Sequence, residues 1–284
     1  MHNLPVIVVN RNSSNFLKAI SYLDDLGLDY KISKSKQESE DIILNMQRTN
    51  QKILIVCGGD GTVNTFINLI MKYNLANIIK LGVIPAGSAN DFFRYMNGNL
   101  NIQEAIQNLK KPLNRTKKVD LILVNKYYFI TGGGFGLPLE VVRDVLSMRN
   151  NFIGRFIKLI LRGELYSFMA VYRVVKGYLG FKSRIMALCI MNQQFIGKRF
   201  FLSKTSINND GFFEVCEIPR YSKIKDLKIL YNLSKGEHVT RQISLKKIIV
   251  KSDKIIEFIG DGEIIANGNQ FNFKIIPKAI NFFY

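Results

Sequence analysis

The stretch Ile53 to Asn64, I-L-I-V-C-G-G-D-G-T-V-N, limits what this chain can fold into more than any other. Ile53 to Cys57 is a short apolar run of the kind that forms a buried strand. Gly58-Gly59-Asp60-Gly61-Thr62 is a tight turn, and Val63, Phe66, Ile67 and Ile70 recur at helical spacing. A strand feeding a helix through a glycine turn belongs to a parallel α/β sheet. Glycines there let backbone amides approach a ligand closely, and the helix N-terminus behind them favours an anion. Asp60 would repel a bare phosphate. It fits a phosphate whose charge is met by a divalent cation or by a network of donors. The stretch therefore reads as a magnesium-nucleotide site, against the plainer alternative of a ligand-free turn. Three glycines around one aspartate in five residues favour the site.

The segments on either side agree with an α/β reading. Val6 to Val9 is a β-branched run. The polar turn Asn10-Arg11-Asn12-Ser13-Ser14 follows it, then a helix with Phe16, Leu17, Ile20 and Leu23 on one face and Gly27 at its end. Tyr30 to Ile32 is a short second strand, and Glu38 to Gln47 a polar helix with Ile42, Ile43 and Met46 on one side. Leu81 to Ile84 is another buried strand, running into Pro85-Ala86-Gly87-Ser88-Ala89-Asn90-Asp91. Ile102, Ala105, Ile106 and Leu109 mark one more helix. Ligands of parallel sheets bind beyond the carboxyl ends of the strands, where both glycine turns lie.

Beyond about residue 115 the pattern changes. Val119 to Val124 and Tyr127 to Thr131 flank Asn125-Lys126, a hairpin signal. Gly132-Gly133-Gly134-Phe135-Gly136 is a second glycine cluster, and Pro138 can open a helix. Strands are expected at Ile185 to Met191, Phe195 to Leu202, Phe212 to Ile218, Ile243 to Val250, Ile255 to Ile259 and Phe271 to Ile276. One helix, Lys223 to Leu233, interrupts them between Ser222 and Gly236. The expectation is a mostly antiparallel domain of sandwich type. Two domains suit 284 residues.

Net charge decides which partners to consider. Lys and Arg number 40 against 22 acidic residues, a net +18. That suits nucleic acid, an anionic membrane surface or a polyanionic small substrate. No nucleic-acid recognition module is visible, so no nucleic-acid partner is expected. Between Gly154 and Gly180, Arg155, Lys158 and Arg162 share one helical face, Phe156, Leu159 and Ile160 another, and Arg173 and Lys176 follow. The pattern suits an interfacial membrane helix, or an ordinary cationic surface helix. No signal peptide and no charge-free window long enough to span a bilayer are seen, so a cytoplasmic, peripherally membrane-associated protein is expected. Cys57, Cys189 and Cys216 are far apart in apolar runs and read as buried thiols.

Acid–base chemistry must fall to carboxylates. There is no Walker sequence, no zinc spacing and no nucleophile elbow, and the only histidines are His2 and His238. The candidates are Asp60, Asp210 in N-D-G-F-F-E, Asp261 and Glu263 in G-D-G-E, and Asp91 and Asp120 near element ends. Singly, an Asp-Gly pair is most often only a turn.

Taken together, the segments resemble the diacylglycerol kinase catalytic-domain family, the bacterial soluble diacylglycerol kinase-like lipid kinases with their sphingosine and ceramide kinase relatives. The matching stretches are G-G-D-G-T-V-N at 58–64, G-V-I-P-A-G-S-A-N-D-F-F-R at 82–94, N-D-G-F-F-E-V at 209–215, G-E-H at 236–238 and D-G-E at 261–263. They occur in the family's order. G-G-D-G-T alone is shared with NAD kinases and phosphofructokinases.

The resemblance implies a Rossmann-like α/β nucleotide domain, residues 1–122 with 276–284 returning to it. It also implies an antiparallel β-sandwich domain for the lipid, residues 123–275, with a cleft between the two. The implied activity is ATP-dependent transfer of the γ-phosphate to a lipid hydroxyl, of diacylglycerol or a related lipid, with ATP and Mg2+ as cofactors. Asn10, Ser13, Ser14, Gly58, Gly59, Asp60, Gly61, Thr62, Asn64, Gly87, Ser88 and Asn90 would bind the nucleotide. Asp60 would help place a catalytic magnesium, and Asp210, with nearby backbone carbonyls, would hold a structural one that Asp91 and Asp120 would join to the nucleotide site through water. Asp261 and Glu263 would supply the general base. Phosphoryl transfer needs charge neutralisation and alignment more than covalent chemistry, which suits so sparse a set. The family's Asn-Pro-x-Ser-Gly turn is Asn10-Arg11-Asn12-Ser13-Ser14 here, Ser88 replaces a common Thr, and the 132–136 cluster lacks the family's Asp. Dimerisation is common in that family. The other readings are an NAD kinase-like enzyme and a non-catalytic lipid-binding protein on the same scaffold.

Overall fold

The computed structural model describes residues 4–110, 115–149, 164–182, 184–237 and 240–283. The chain forms two compact units, Met1–Leu121 with Pro277–Tyr284, and Ile122–Ile276.

The first unit is α/β. Its elements are β1 (Val6–Asn10), α1 (Phe16–Asp25), β2 (Lys31–Ser33), α2 (Lys36–Arg48), β3 (Ile53–Gly58), α3 (Asp60–Lys72), β4 (Lys80–Pro85), α4 (Asp91–Asn97), α5 (Ile102–Asn108) and the start of β5 (Thr116–Val124). The strands are parallel in the order β4-β3-β1-β2. Asn281 and Phe282, near the end of the last strand, add beside Lys80 and Leu81 of β4, also in parallel. Val9 lies level with Cys57, and Gly58 with Pro85, so β1, β3 and β4 end together at one edge. Apolar side chains on one face of the sheet, including Val9, Ile55, Cys57 and Ile84, meet Ala19 and Leu23 of α1 and Ile106 of α5. Local sequence sets the helix starts. Ser35 Oγ accepts the Glu38 amide at 3.1 Å to begin α2, and Asn101 and Glu104 form a capping box on α5.

The second unit is built on antiparallel strands with helices on one face. Its elements are the rest of β5, β6 (Tyr127–Phe129), β7 (Gly132–Gly136), α6 (Leu137–Arg149), α7 (Leu165–Lys176), β8 (Ile185–Met191), β9 (Phe195–Ile196), β10 (Phe200–Phe201), β11 (Phe213–Pro219), α8 (Lys223–Ser234), β12 (Arg241–Leu245), β13 (Lys247–Gly260) and β14 (Glu263–Phe283). The pairing order is β12-β11-β8-β7-β13-β14. The β5–β6 hairpin turns at Asn125-Lys126 with Asn125 at φ +52°. One face of the sheet buries a phenylalanine cluster. Phe135 stands at its centre, with ring centroids of Phe258 and Phe271 at 5.0 and 4.9 Å. Residues of α6, α7 and α8 bury Cys189, Met191 and Cys216 on the other face.

Two expectations need correction, and two further segments take definite form. The Gly132–Gly136 cluster is a strand. It is glycine-rich because a β-carbon on Gly133 would lie 2.0 Å from the Ile259 carbonyl oxygen, and one on Gly134 3.0 Å from that of Leu188. The segment from Phe195 to Leu202 is a short hairpin, β9 and β10, turning at Gly197 and Lys198 with positive φ. Ile243 to Val250 is divided at Lys246, whose carbonyl accepts the Ile275 amide, so β12 pairs with β11 and β13 with β14. Residues 165–176, which carry Arg173 and Lys176 of the basic amphipathic pattern, form α7. The basic positions Arg155, Lys158 and Arg162, with Phe156, Leu159 and Ile160, lie outside the described residues. Among the described residues no helix is long and apolar enough to cross a membrane.

Candidate active site

The three polar loops that leave the shared edge of β1, β3 and β4 bond to one another in the first unit. Asn10 Nδ2 donates to Thr62 Oγ1 at 2.7 Å, and Asn10 Oδ1 accepts the Asn12 amide at 2.9 Å. The Asn15 amide donates to the Ala86 carbonyl, and the Ala86 amide to that of Gly58, both at 3.0 Å. Ser14 Oγ and Ser88 Oγ are 2.8 Å apart. Gly59, in extended conformation, caps α3. It touches Gly87 so closely that a β-carbon on Gly87 would sit 2.3 Å from the Gly59 Cα. Gly87 excludes any side chain and Gly59 leaves one almost no room, so the two form a cradle of bare backbone.

Asn90 and Asp60 hold the second loop in place. Asn90 adopts φ +55°, and its side chain closes the loop on Gly87, accepting from its amide at 2.9 Å and donating to its carbonyl at 3.0 Å. Asp60 accepts the amides of Asp91 and Phe92, each at 3.0 Å, one on each carboxylate oxygen. A carboxylate on the first amides of a helix is favoured by both bonding and dipole. Asp60 thus ties the loop after β3 to the start of α4. Asn64 is buried and Asn68 Nδ2 donates to its side chain at 3.0 Å. Asp91 is buried at the head of α4. Asp120, fully buried, accepts the Lys278 amide at 2.6 Å and so binds the returning strand.

The observations fit a phosphate-bearing ligand on these loops. Gly59 and Gly87 present bare backbone with no room for a β-carbon on Gly87, and the Ser13 hydroxyl is buried with no hydrogen-bond partner. Among the described residues no three of His, Cys, Asp and Glu gather as a metal-binding group. The donor set is therefore not a ready-made cage. It suits a magnesium that keeps its waters and is held mainly by phosphates.

In the second unit, Asp261 and Gly262 form the two-residue turn between β13 and β14, at φ +50° and +77°. The Asp261 carboxylate is buried and accepts the Ile130 amide at 2.9 Å, the Thr131 amide at 2.8 Å and Thr131 Oγ1 at 2.6 Å. It fixes the turn on which half-buried Glu263 opens β14. Asp210 is exposed, and its Oδ1 accepts the Phe212 amide at 3.0 Å in an Asx turn completed by Gly211 at φ +81°. Gly236 of G-E-H has φ +76°, and His238 lies outside the described residues.

Sequence reasoning missed Glu214. It lies on β11, is 2% exposed, and accepts from Ser206 Oγ and Ser244 Oγ. Burial raises its pKa above the ordinary carboxylate value. The two hydroxyls oppose that rise, and the Asp210 charge adds to it. The strand alternation of F-F-E-V-C-E-I could have shown Glu214 on an inward face, since Glu214 and Cys216 share one side.

Comparison with known proteins agrees with this architecture. The model of the diacylglycerol kinase catalytic domain matches residues 6–124. A diacylglycerol kinase of Bacillus subtilis is 27% identical over 193 residues, which span 67% of this chain and 62% of that protein. A crystal structure of a diacylglycerol kinase from Bacillus anthracis strain Sterne superposes with a TM-score of 0.71 at 16% identity, covering 99% of this chain and 97% of that one. An NAD kinase from Archaeoglobus fulgidus, solved in complex with ATP, shares the fold at a TM-score of 0.50 and 11% identity, over 99% and 94% of the two chains. The G-G-D-G-T turn after β3 and its glycine contact to the loop after β4 both lie within residues 6–124, the part of the chain that is similar to the diacylglycerol kinase catalytic domain.

Proposed function

We propose that the protein is an ATP-dependent lipid kinase that phosphorylates the hydroxyl of diacylglycerol or a related lipid at a membrane surface, as a peripheral, cytoplasmic enzyme. The observation that carries this reading is the meeting of Gly59 and Gly87 at the carboxyl edge of the parallel sheet, within the region matched by the family. A bare backbone cradle beside a helix N-terminus suits polyphosphate.

In this reading Gly58 to Thr62 and Gly87 bind the ATP phosphates. Asn10, Ser13, Ser14, Ser88 and Asn90 shape the loop beside them, and Asn64 supports α3. Magnesium, when bound, supplies charge neutralisation on the phosphates. Asp60, Asp91 and Asp120 would hold it through water, and Asp210 a second ion in the other unit. The lipid hydroxyl oxygen attacks the γ-phosphorus, the bond to the β-phosphate oxygen breaks, and ADP leaves with the electron pair. Glu263 takes the hydroxyl proton. Asp261 is a positioning residue, because its carboxylate serves Ile130 and Thr131.

The test is transfer of radiolabelled phosphate from ATP to a panel of lipids in anionic mixed micelles. Glu263→Gln should lower turnover by about 10²–10⁴-fold, the usual value of general-base catalysis, with an unchanged denaturation midpoint. Native turnover in that variant overturns the assignment of Glu263. Conversion of NAD to NADP in place of lipid labelling would favour the NAD kinase-like reading, which the shared fold supports. Lipid binding without any ATP turnover would favour a non-catalytic role.

A further inference from the structure

We propose that one end of the second unit, where the last turn of α7 meets the first turn of α8, is a docking surface for an anionic lipid bilayer. The proposal rests on the lipid-kinase reading only for its biological purpose; the surface itself is argued from the side chains.

The two turns are joined. Lys223 Nζ donates to the Val175 carbonyl at 2.8 Å. Tyr178 Oη donates to Asp226 Oδ2, and the Tyr221 amide to Asp226 Oδ1, each at 2.8 Å. The Arg220 guanidinium lies 4.5 Å above the Tyr178 ring. On this fixed frame, apolar side chains stand in solvent. Leu179 is 80% exposed and Ile224 81%, with Val175 and Tyr221 beside them also exposed. Leu179 is presented by a tethered backbone, since its amide donates to Glu140 at 2.5 Å. The stripe continues down α7 through exposed Tyr172, Val171 and Phe168, at helical spacing. Single exposed apolar residues are ordinary, but a contiguous set marks a contact surface.

Charge selects the occupant. Lys176, Lys182, Arg184, Lys223 and Lys225 surround the apolar tips and are all exposed. Across residues 165–185 and 219–236 the one carboxylate is Asp226, which is buried and bonded to Tyr178 and Tyr221; Glu140, which accepts the Leu179 amide from α6, is also buried and is paired with Arg173. Apolar tips inside a ring of uncompensated cations, with aromatic rings at the same level, match the boundary between headgroups and acyl chains of an anionic leaflet. A second copy would bring like charge against like charge.

The experiment is co-sedimentation of the full chain with vesicles of phosphatidylcholine alone or doped with phosphatidylglycerol. Binding should require the anionic lipid and weaken with salt. Leu179→Ser/Ile224→Ser should reduce partitioning by about ten-fold or more. Lys176→Gln/Lys225→Gln should reduce it by about twenty-five-fold, about five-fold for each cation near the surface. All four side chains are exposed, so the denaturation midpoint should not move. Native-like partitioning of both variants overturns the proposal, as does failure of the native chain to bind anionic vesicles. A dimer in sedimentation equilibrium that the apolar variant dissociates, with vesicle binding unchanged, would overturn it in favour of a second copy. Turnover of a short-chain, water-dispersed diacylglycerol separates the two readings. If native protein binds vesicles in the expected way but never turns over, the kinase reading fails and the docking surface stands. If turnover is present but both variants partition like native, the docking surface alone fails.

Discussion

Gly59 and Gly87 meet backbone to backbone: a β-carbon on Gly87 would lie 2.3 Å from the Gly59 Cα and 2.8 Å from Asn90 Oδ1. Two loops that leave adjacent strands can approach this closely only if neither carries a side chain at the contact. Gly87→Ala must push them apart, since the obstructing atoms are mostly backbone. The expected cost is about 1–3 kcal/mol, as for overpacking elsewhere. A fluorescent ATP analogue should bind more weakly to the same variant. Unchanged denaturation and unchanged binding would show that the contact is not needed.

Asp261→Asn should cost stability as well as activity, in contrast with Glu263→Gln. Asparagine tolerates the positive φ of the turn, so the hairpin can still form. One of its side-chain atoms becomes a donor, however, facing the amides of Ile130 and Thr131 or the Thr131 hydroxyl. A buried donor without an acceptor costs about 1–3 kcal/mol. A lower denaturation midpoint for Asp261→Asn, with none for Glu263→Gln, is the expected pair of results.

Glu214 makes stability depend on pH in a defined direction. Burial raises its folded-state pKa above the unfolded one. Its stabilising contribution is therefore complete below the unfolded pKa and is lost as pH rises through the folded value. Glu214→Gln resembles the protonated form and keeps partners for Ser206 and Ser244. The variant should be more stable than the native chain above that range, with the difference vanishing in acid. Denaturation midpoints of both proteins across the acid-to-neutral range test this; parallel curves would refute it.

The three thiols should be inert until the protein unfolds. Burial pushes Cys57 and Cys189 up to about 12, and Cys216 is raised by burial and by Cys189 and Glu214 nearby. Iodoacetamide attacks the thiolate, so native protein should be alkylated no faster than it opens. Fast modification of any of the three without denaturant, followed by mass spectrometry, would contradict the burial described for them.

The first unit was largely legible in the sequence because each of its elements is specified locally. Buried strands such as Ile53–Gly58 are continuous apolar runs, helices carry a 3.6-residue stripe, and the glycine turns stand between them. What the letters could not show was partnership. Nothing about Asp60 alone says that its two oxygens meet the amides of Asp91 and Phe92. The second unit was harder to read because its pattern depends on distant neighbours. Gly132–Gly136 looks like a loop until Ile259 and Leu188 are placed on either side of it. In β13 and β14 the register shifts, and polar and apolar residues mix, so two long strands read as several short ones. Glu214 was hidden for the opposite reason: a glutamate beside an exposed Asx turn looks like surface, and only Ser206 and Ser244 make it interior.

The returning strand has a consequence for synthesis on the ribosome. The first unit includes Pro277–Tyr284, where Asn281 and Phe282 pair with Lys80 and Leu81, Phe282 lies 4.5 Å from Phe92 between ring centroids, and the Lys278 amide meets Asp120. A nascent chain emerges N-terminus first, and domains generally fold as they appear. Here the leading unit cannot finish when its own first 121 residues have emerged. It must wait, with the edge of β4 open and Asp120 short of a donor, while the whole second unit is translated. The first unit is completed only by a segment that follows the whole second unit in the chain, which keeps the candidate nucleotide loops on an unfinished sheet until translation has passed the end of β14.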